Sequence, residues 1–408
     1  MNKKKIFNDP VYGFISVPYE IVFDLIEHPY FQRLRNIKQL GLTHLVYPGA
    51  LHTRFHHALG AMHLMGIAIE SIRNKGIEIN EMEAEAATIA ILLHDIGHGP
   101  FSHALESCIV PNLHHEQLSI LLMEELNKQF DGRLSLAIEI FENKYSKKFL
   151  HQLVSGQLDM DRMDYLNRDS FYTGVSEGVI GFDRILKMIS VKEDQLVIEE
   201  KGIYSVEKFL IARRLMYWQV YFHKTVLAAE QLLLNILKRA KEISSQGVDL
   251  FAAPDFKLFL KNNPSIEDFK TNPKYLNAFS TLDDHDIYSA IKVWRSSEDH
   301  VLSTLCKYLI SRDLYTIELH NEPISPKYLE ELTHRHKKTL NYDAQTSKYF
   351  VFDGVINNNA YNPDTGNINI LTKSGQLVDV AIASDGLNVN ALSRNVKKYF
   401  ICYPINEM

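Results

Sequence analysis

Ile89-Ala-Ile-Leu-Leu-His94-Asp95-Ile-Gly97-His98-Gly-Pro-Phe-Ser-His103 is the stretch on which the reading of this chain turns. An apolar helical run ends in an adjacent imidazole and carboxylate. Gly97 then breaks the helix, and two more histidines follow. Burying such polar groups at the end of an apolar segment is costly unless something pairs with them. A metal ion is the fitting partner, and the rest of the sequence can be searched for the side chains that would surround one.

A divalent ion beyond the end of that helix draws first on His94 and Asp95. Their side chains diverge by about 100°, yet both can reach past the terminus. His57, with His56 beside it, and Asp161, in the acid-rich run Leu158-Asp-Met-Asp161-Arg-Met-Asp-Tyr-Leu166, are the other candidates. Two imidazoles and two carboxylates form a mixed N/O set suited to one divalent ion (Mn, Fe, Mg, Zn or Ni) rather than to a metal that demands thiolate. A His-Asp pair alone reads more readily as helix-terminal hydrogen bonding than as a metal site. What favours the metal is the coincidence, in chain order, of Arg54-Phe-x-His57, the His94-Asp95 run, His115-Glu116 and Asp159-x-Asp161-Arg162-x-Asp164-Tyr165.

The composition is that of a globular chain. Its 408 residues are 46% apolar and 23% charged, enough for one large or two modest domains with an ample core. A net charge of −6 without a long basic block gives no footprint for duplex nucleic acid. No run reaches the ~18 apolar residues of a membrane span, and Met1-Asn-Lys-Lys-Lys-Ile-Phe lacks the apolar core of a secretory leader. Cys108, Cys306 and Cys402 lie far apart, without CxxC spacing, which fits a reducing cytoplasm.

Taken in order, the chain predicts an all-helical body followed by a small α+β lobe. Phe31, Leu34, Ile37 and Leu40 share one face of a helix predicted to end at Gly41. Thr53 is the expected N-cap of the next helix, and Asn80 with Glu83 has capping-box spacing. The longest helix is expected over about 206–243. Residues 195–202 read as a small hairpin closing at Lys201-Gly202. Strands are expected at 314–319, 349–352, 368–371, 377–382 and 399–403, with a helix near 327–339. The division predicted is 1–243 for the core, 244–312 for a helical extension and 313–408 for the α+β lobe.

Two stripes flank the candidate ligands. Asp161, Tyr165 and Asp169 are spaced i, i+4, i+8 and share a helix face. Arg213, Tyr217, Tyr221 and Lys224 form a second stripe, in which two cations alternate with two phenols. A row of tyrosines on a long helix is ordinarily core packing; the interleaved cations make it read as a wall facing a polyanion.

With these motifs in view, the chain resembles the HD-domain metal-dependent phosphohydrolases, in the branch of the deoxynucleoside triphosphate triphosphohydrolases that includes the SAM- and HD-domain restriction factor. The likeness runs from about Asn8 to Lys224. It includes Asn8-Asp9-Pro10, Phe31-Gln-Arg-Leu-Arg-x-Ile-Lys-Gln-Leu-Gly41 and Tyr221-x-His223-Lys224. The resemblance implies a mainly α HD body and assigns His57, His94, Asp95 and Asp161 to the metal. It places His98, His115 and Glu116 beside the scissile phosphate and His103 near the leaving oxygen. Arg54, Arg162 and Arg213 fall where the family holds phosphates. Gln39, Tyr165, Asp169 and Tyr221 match residues around the sugar, with Asp169 accepting from the 3′-hydroxyl and Leu40 packing beside the two phenols.

The expected activity is hydrolysis of a deoxynucleoside triphosphate to deoxynucleoside and inorganic triphosphate. The competing readings are a nucleotidase or phosphodiesterase on other nucleotides, and a nucleotide-binding regulator with a vestigial metal site. Relatives also imply a dimer or tetramer and a nucleotide activator bound at a subunit interface. For that site this chain keeps Gln32 and Arg35 but has Glu27 where an Asp is usual. Tyr217 and Phe222 also depart from the restriction factor, which has His and Gln there. His44, His52, His56 and His63 are expected to be structural.

Overall fold

The computed structural model describes residues 5–102, 108, 110, 113–340, 342–343, 345–358, 361–362, 366–384 and 395–405. Two helices with apolar residues on nearly every side form its centre: α1 (Arg54–Arg73) and α2 (Glu81–Leu93). Ten of the thirteen residues of α2 are buried, which places it in the interior rather than on a surface with one stripe inward. The predicted capping box closes its start. Asn80 Oδ1 accepts from the Glu83 N–H, and Glu83 Oε2 accepts from the Asn80 N–H, both at 2.9 Å; such caps contribute about 1 kcal/mol. Thr53 caps α1, with its own N–H donating to His56 Nδ1 at 3.2 Å. Around this pair lie α3 (His115–Gln129) and α4 (Met160–Thr173), the latter packed directly on α1.

The helix expected over 206–243 is two helices, α5 (Ile203–Met216) and α6 (Lys224–Ser245). Tyr217–Tyr221 between them form one π-helical turn, and His223 caps α6 by accepting from the Thr225 N–H at 3.2 Å. The run Tyr217-Trp-Gln-Val-Tyr-Phe222 is apolar enough to disguise this break in a periodicity count. Tyr47 holds the π turn open by donating to the Gln219 carbonyl at 2.5 Å.

The helix predicted to reach Gly41 stops early. Only Pro29–Gln32 and the 3₁₀ turn Arg33–Asn36 are helical. Beyond them the backbone pairs with the segment before α1: the Arg54 N–H donates to Ile37 O at 2.9 Å and the Gln39 N–H to His52 O at 3.0 Å. Tertiary pairing overrides local propensity here. A further helix, α7 (Asp284–Trp294), anchors this loop: Asp284 accepts from the Lys38 N–H at 3.0 Å and from the Phe101 N–H at 2.6 Å.

Among the described residues the strands form three small sheets. β1 (Ile6–Asp9) and β2 (Gly13–Ser16) are an N-terminal hairpin. β3 (Ile189–Lys192) and β4 (Gln195–Glu199) turn at Glu193-Asp194, both at positive φ, so the hairpin closes earlier than the Lys201-Gly202 turn predicted. β5 (Thr316–His320) and β6 (Phe352–Asn358) flank β9 (Val396–Tyr403). β7 (Asn369–Leu371) runs parallel to β4, with β8 (Leu377–Asp379) outside it. That sheet therefore joins strands from both sides of the boundaries expected at 243 and 313. Two strand assignments shift: 347–349 is a 3₁₀ turn, and 380–383 is a short helix. No helix among the described residues is long and apolar enough to cross a membrane.

Candidate active site

The end of α2 delivers His94 and Asp95 to one point, α1 delivers His57, and α4 delivers Asp161. His57 Nε2 lies 3.3 Å from His94 Nε2 and 3.2 Å from Asp161 Oδ1. His94 Nε2 lies 3.5 Å from Asp161 Oδ1 and 3.3 Å from Asp95 Oδ1, and His57 Nε2 is 3.6 Å from Asp95 Oδ2. Thus the four side chains expected as ligands converge.

Whether a cation fits there is decided by the other ring nitrogens. His57 Nδ1 donates to Asp164 Oδ2 at 2.7 Å and His94 Nδ1 to the Ile91 carbonyl at 2.6 Å. With Nδ1 of both rings donating, the two Nε2 atoms are the positions left to face the two carboxylates and to share a proton or an ion with them. Two nitrogens bound to one ion at about 2.1 Å would sit about 3.0–3.4 Å apart, which matches the separation found. The field points the same way. Burial opposes protonation of His57, yet Asp161, Asp164 and Asp95 outweigh it and hold its pKa up to about 10. Burial would raise Asp161, but His57 and His94 outweigh that and keep it far below the usual carboxylate range. The cluster attracts positive charge, and the residues present fit a divalent ion.

A second group adjoins it. Asp95 Oδ1 is 3.2 Å from His98 Nδ1, the His98 ring lies 3.8 Å from that of His115, and His115 Nε2 is 3.5 Å from Glu116. Arg54 pairs with Asp95 Oδ2 and donates to Ser102 Oγ at 2.8 Å. Burial, then the Arg54 charge, push His98 well below the ordinary imidazole range. His103 lies outside the described residues.

Both groups open on one cavity of about 910 Å³. Its wall includes Gln39 and Leu40, Arg54, His94, Asp95, His98, His115, Glu116, Asp161, Arg162, Tyr165, Asp169, Arg213, Tyr217 and Tyr221. The α4 stripe thus faces the cavity as spaced. Of the second stripe Arg213, Tyr217 and Tyr221 face it, while Lys224, past the π turn, is exposed and not part of the wall. Tyr165 and Tyr221 meet edge-on, 6.3 Å apart. Arg162 pairs with Asp159, and Arg213 donates to Gln157 Oε1 at 3.4 Å.

An HD-domain model matches residues 54–169, and an HD-associated-region model matches 180–268. The chain is 36% identical over 397 residues to the Bacillus subtilis protein YwfO, covering 93% of this chain and 88% of that one. A solved phosphohydrolase from Bacteroides thetaiotaomicron superposes with a TM-score of 0.95 at 53% identity, covering 98% of this chain and all of that one. This chain belongs to the HD-domain phosphohydrolases. Within that family it is also 33% identical over 297 residues to a Dictyostelium discoideum protein named deoxynucleoside triphosphate triphosphohydrolase SAMHD1 homolog. That match covers 68% of this chain and about half (54%) of the relative.

Beneath the candidate ligands lies a buried ion network that sequence reasoning left unassigned. Asp164, which orients His57, is held by Arg168 through two contacts of 2.9 and 3.0 Å, and Arg168 also reaches Asp9 of the N-terminal hairpin at 2.7 Å. Asp9 in turn caps its own turn, accepting from the N–H groups of Val11 and Tyr12. Gly60 makes room for the network: a Cβ there would lie 2.0 Å from Asp164 Oδ1 and 2.2 Å from the Arg168 guanidinium. The signal available in sequence was spacing, since Asp161, Asp164 and Arg168 follow at i, i+3 and i+7 on one helix. Gly97 likewise serves close approach: its Cβ would sit 2.3 Å from His115 O.

The histidines expected to be structural divide. His44 turns to the Gly41 carbonyl, His56 to Thr53, and His63 packs against the Tyr12 ring. His52 instead reaches the cavity wall, 2.8 Å from Asp169 Oδ1, while Tyr221 donates to Asp169 Oδ2 at 2.7 Å. Glu27, Gln32 and Arg35 lie apart from the cavity wall. Arg35 donates to Gln32 Oε1 at 2.7 Å and covers the Phe55 ring, and Glu27 makes a 3.7 Å surface pair with Lys5.

Proposed function

We propose that this chain hydrolyses deoxynucleoside triphosphates to deoxynucleoside and inorganic triphosphate. The observation that carries the reading is the single cavity. Its wall passes from the His/Asp cluster through Arg54, Arg162 and Arg213 to Tyr165, Tyr221 and Asp169, so phosphate-binding and sugar-binding chemistry share one space. The likeness to the Dictyostelium enzyme supports it.

His57, His94, Asp95 and Asp161 would hold a divalent ion. When bound, such an ion polarises a phosphoryl oxygen and activates water. The arginines draw charge from the remaining phosphate oxygens, bidentately where geometry allows. The α-phosphorus gains the water oxygen as its bond to the 5′-oxygen breaks, and that oxygen must be protonated. We assign the proton to His103 or His98, since histidine, with an ordinary pKa of ~6.5, suits the task. His115, beside Glu116, stacks against His98 and keeps it in place.

Asp169, fixed by His52 and Tyr221, is the acceptor for a 3′-hydroxyl. Tyr165, Tyr221 and Leu40 close on C2′. A 2′-hydroxyl forced there without a partner costs about 1–3 kcal/mol, roughly 5–150-fold in preference. Tyr221→Ala is accordingly expected to raise ribonucleotide turnover relative to deoxyribonucleotide by about tenfold; an unchanged ratio would remove the steric gate.

The deciding assay incubates the protein with mixed and single dNTPs and Mn²⁺ or Mg²⁺, resolving products by ion exchange. Inorganic triphosphate is the expected product. Monophosphate with pyrophosphate, or no turnover of any dNTP, would overturn the proposal.

A further inference from the structure

The loop that follows His94-Asp95 is held in a conformation it would not keep alone. Phe101 and Ser102 lie at φ 54° and 56°. This is the left-handed region, which side chains other than glycine occupy only where surrounding contacts enforce it. The Phe101 N–H donates to Asp284 Oδ1 at 2.6 Å. Ser102 Oγ donates to the Lys38 carbonyl at 2.9 Å and accepts from Arg54 Nε at 2.8 Å. Arg54, on the cavity wall, is thus steadied by a serine whose own placement depends on the strained pair.

These contacts lead back to one carboxylate. Asp284 is buried, and its second oxygen accepts from the Lys38 N–H at 3.0 Å. The two N–H groups it receives belong to different parts of the site. Phe101 lies between His98 and His103, and Lys38 precedes Gln39 and Leu40 of the cavity wall. Two residues before Asp284, the Leu282 carbonyl accepts from Arg33 at 3.0 Å, and the same guanidinium donates to the Ile96 carbonyl at 2.7 Å. The entry to α7 therefore grips the loop at both ends, next to Asp95 and next to Ser102. An ionised carboxylate offers acceptors only, as two facing N–H donors require. Asp284 lies beyond both stretches that the family models match, 54–169 and 180–268.

We infer that Asp284 is a positioning residue for the phosphohydrolase reaction. From outside the HD core it fixes the Phe101-Ser102 turn, and through Ser102 the Arg54 guanidinium, in the geometry that receives phosphate. The inference rests on Arg54 being a phosphate contact, as proposed above, and is independent of which nucleotide is cleaved. Asp284→Asn keeps the size and shape of the side chain but offers one acceptor oxygen where two are needed, so one N–H is left facing an amide NH₂. A misplacement of about 1 Å in a catalytic group costs about 100-fold, and the loss of kcat expected here is about 10–100-fold. Metal binding should stay native, because none of the four candidate ligands is among the partners of Asp284.

The test measures metal content, kcat on a dNTP mixture, and calorimetric affinity for inorganic tripolyphosphate in excess Mg²⁺, all on the full-length protein and its variants. Asp284→Asn and Ser102→Ala should each lower kcat and weaken tripolyphosphate binding by about tenfold or more while keeping the metal. Because both act through Arg54, the double variant should be little worse than the more impaired single one. Asp286→Ala is the control. Asp286 accepts from the Asp283 N–H at 3.0 Å and caps the same helix without touching the loop, so its loss should lower the melting temperature and leave turnover per folded molecule unchanged. Native turnover and tripolyphosphate affinity in folded Asp284→Asn would overturn the inference. So would native values in Ser102→Ala, fully additive losses in the double variant, an equal loss in Asp286→Ala, or a native protein that binds no tripolyphosphate. If the native protein binds tripolyphosphate but cleaves no dNTP, the triphosphohydrolase proposal falls and the tripolyphosphate affinities alone decide the positioning role.

Discussion

Asp161→Ala and His94→Ala are each expected to lose bound divalent metal and phosphohydrolase activity together. Each removes an atom from a set of four side chains whose oxygens and nitrogens lie 3.2–3.6 Å apart. His57 and His94 cannot move to compensate, because Asp164 and the Ile91 carbonyl fix their Nδ1 atoms. The loss should therefore exceed the roughly 10–100-fold typical of removing a supporting hydrogen bond. Metal content after equilibrium dialysis and the rate of phosphate-ester hydrolysis are the two measurements. A thermal melt adds a third: added Mn²⁺ should raise the midpoint of the native protein and not of either variant. Full activity in either variant would break the ligand assignment.

Arg168→Met is expected to cost about 3–5 kcal/mol of stability, the range for breaking a buried ion network from one side. Arg168 is fully buried and its guanidinium is divided between Asp164 and Asp9. Burial works against its charge, but the two carboxylates outweigh that and raise its pKa above the ordinary arginine value. Without it, two carboxylates are left in the interior with no cation. The same change frees Asp164 to shift, so metal affinity should fall by about 10–100-fold beyond any effect of unfolding. Denaturant titration reads the first effect and chelator competition on the folded variant reads the second. Stability within about 0.5 kcal/mol of native, with native metal affinity, would show that the network does not support the site.

The candidate ligands were legible because a metal needs particular side chains and helices impose spacing: His94-Asp95 closes an apolar run, and Asp161 shares a face with Tyr165 and Asp169. The capping box at Asn80 was legible for the same local reason. His52 was not. It is a single polar residue in an ordinary setting until the fold brings Asp169 to it. The break at 217–221 escaped because an aromatic run keeps its apolar character whether the backbone winds as α or π. The loop at 37–41 escaped because its partner strand lies more than ten residues ahead.

By itself the sequence determined the chemistry available: a mixed imidazole and carboxylate set, cations interleaved with phenols, and helices whose apolar faces must be buried together. These follow from residue type and short-range spacing, which the backbone's fixed periodicities convert directly into geometry. Only the tertiary structure decided which groups meet. It bound Asp9 of the hairpin to Arg168, Asp164 and so His57, set Asp284 against the loop carrying Gln39, and turned Lys224 out of the cavity. Such contacts join residues distant along the chain, and their energies depend on burial and pairing that no local pattern records.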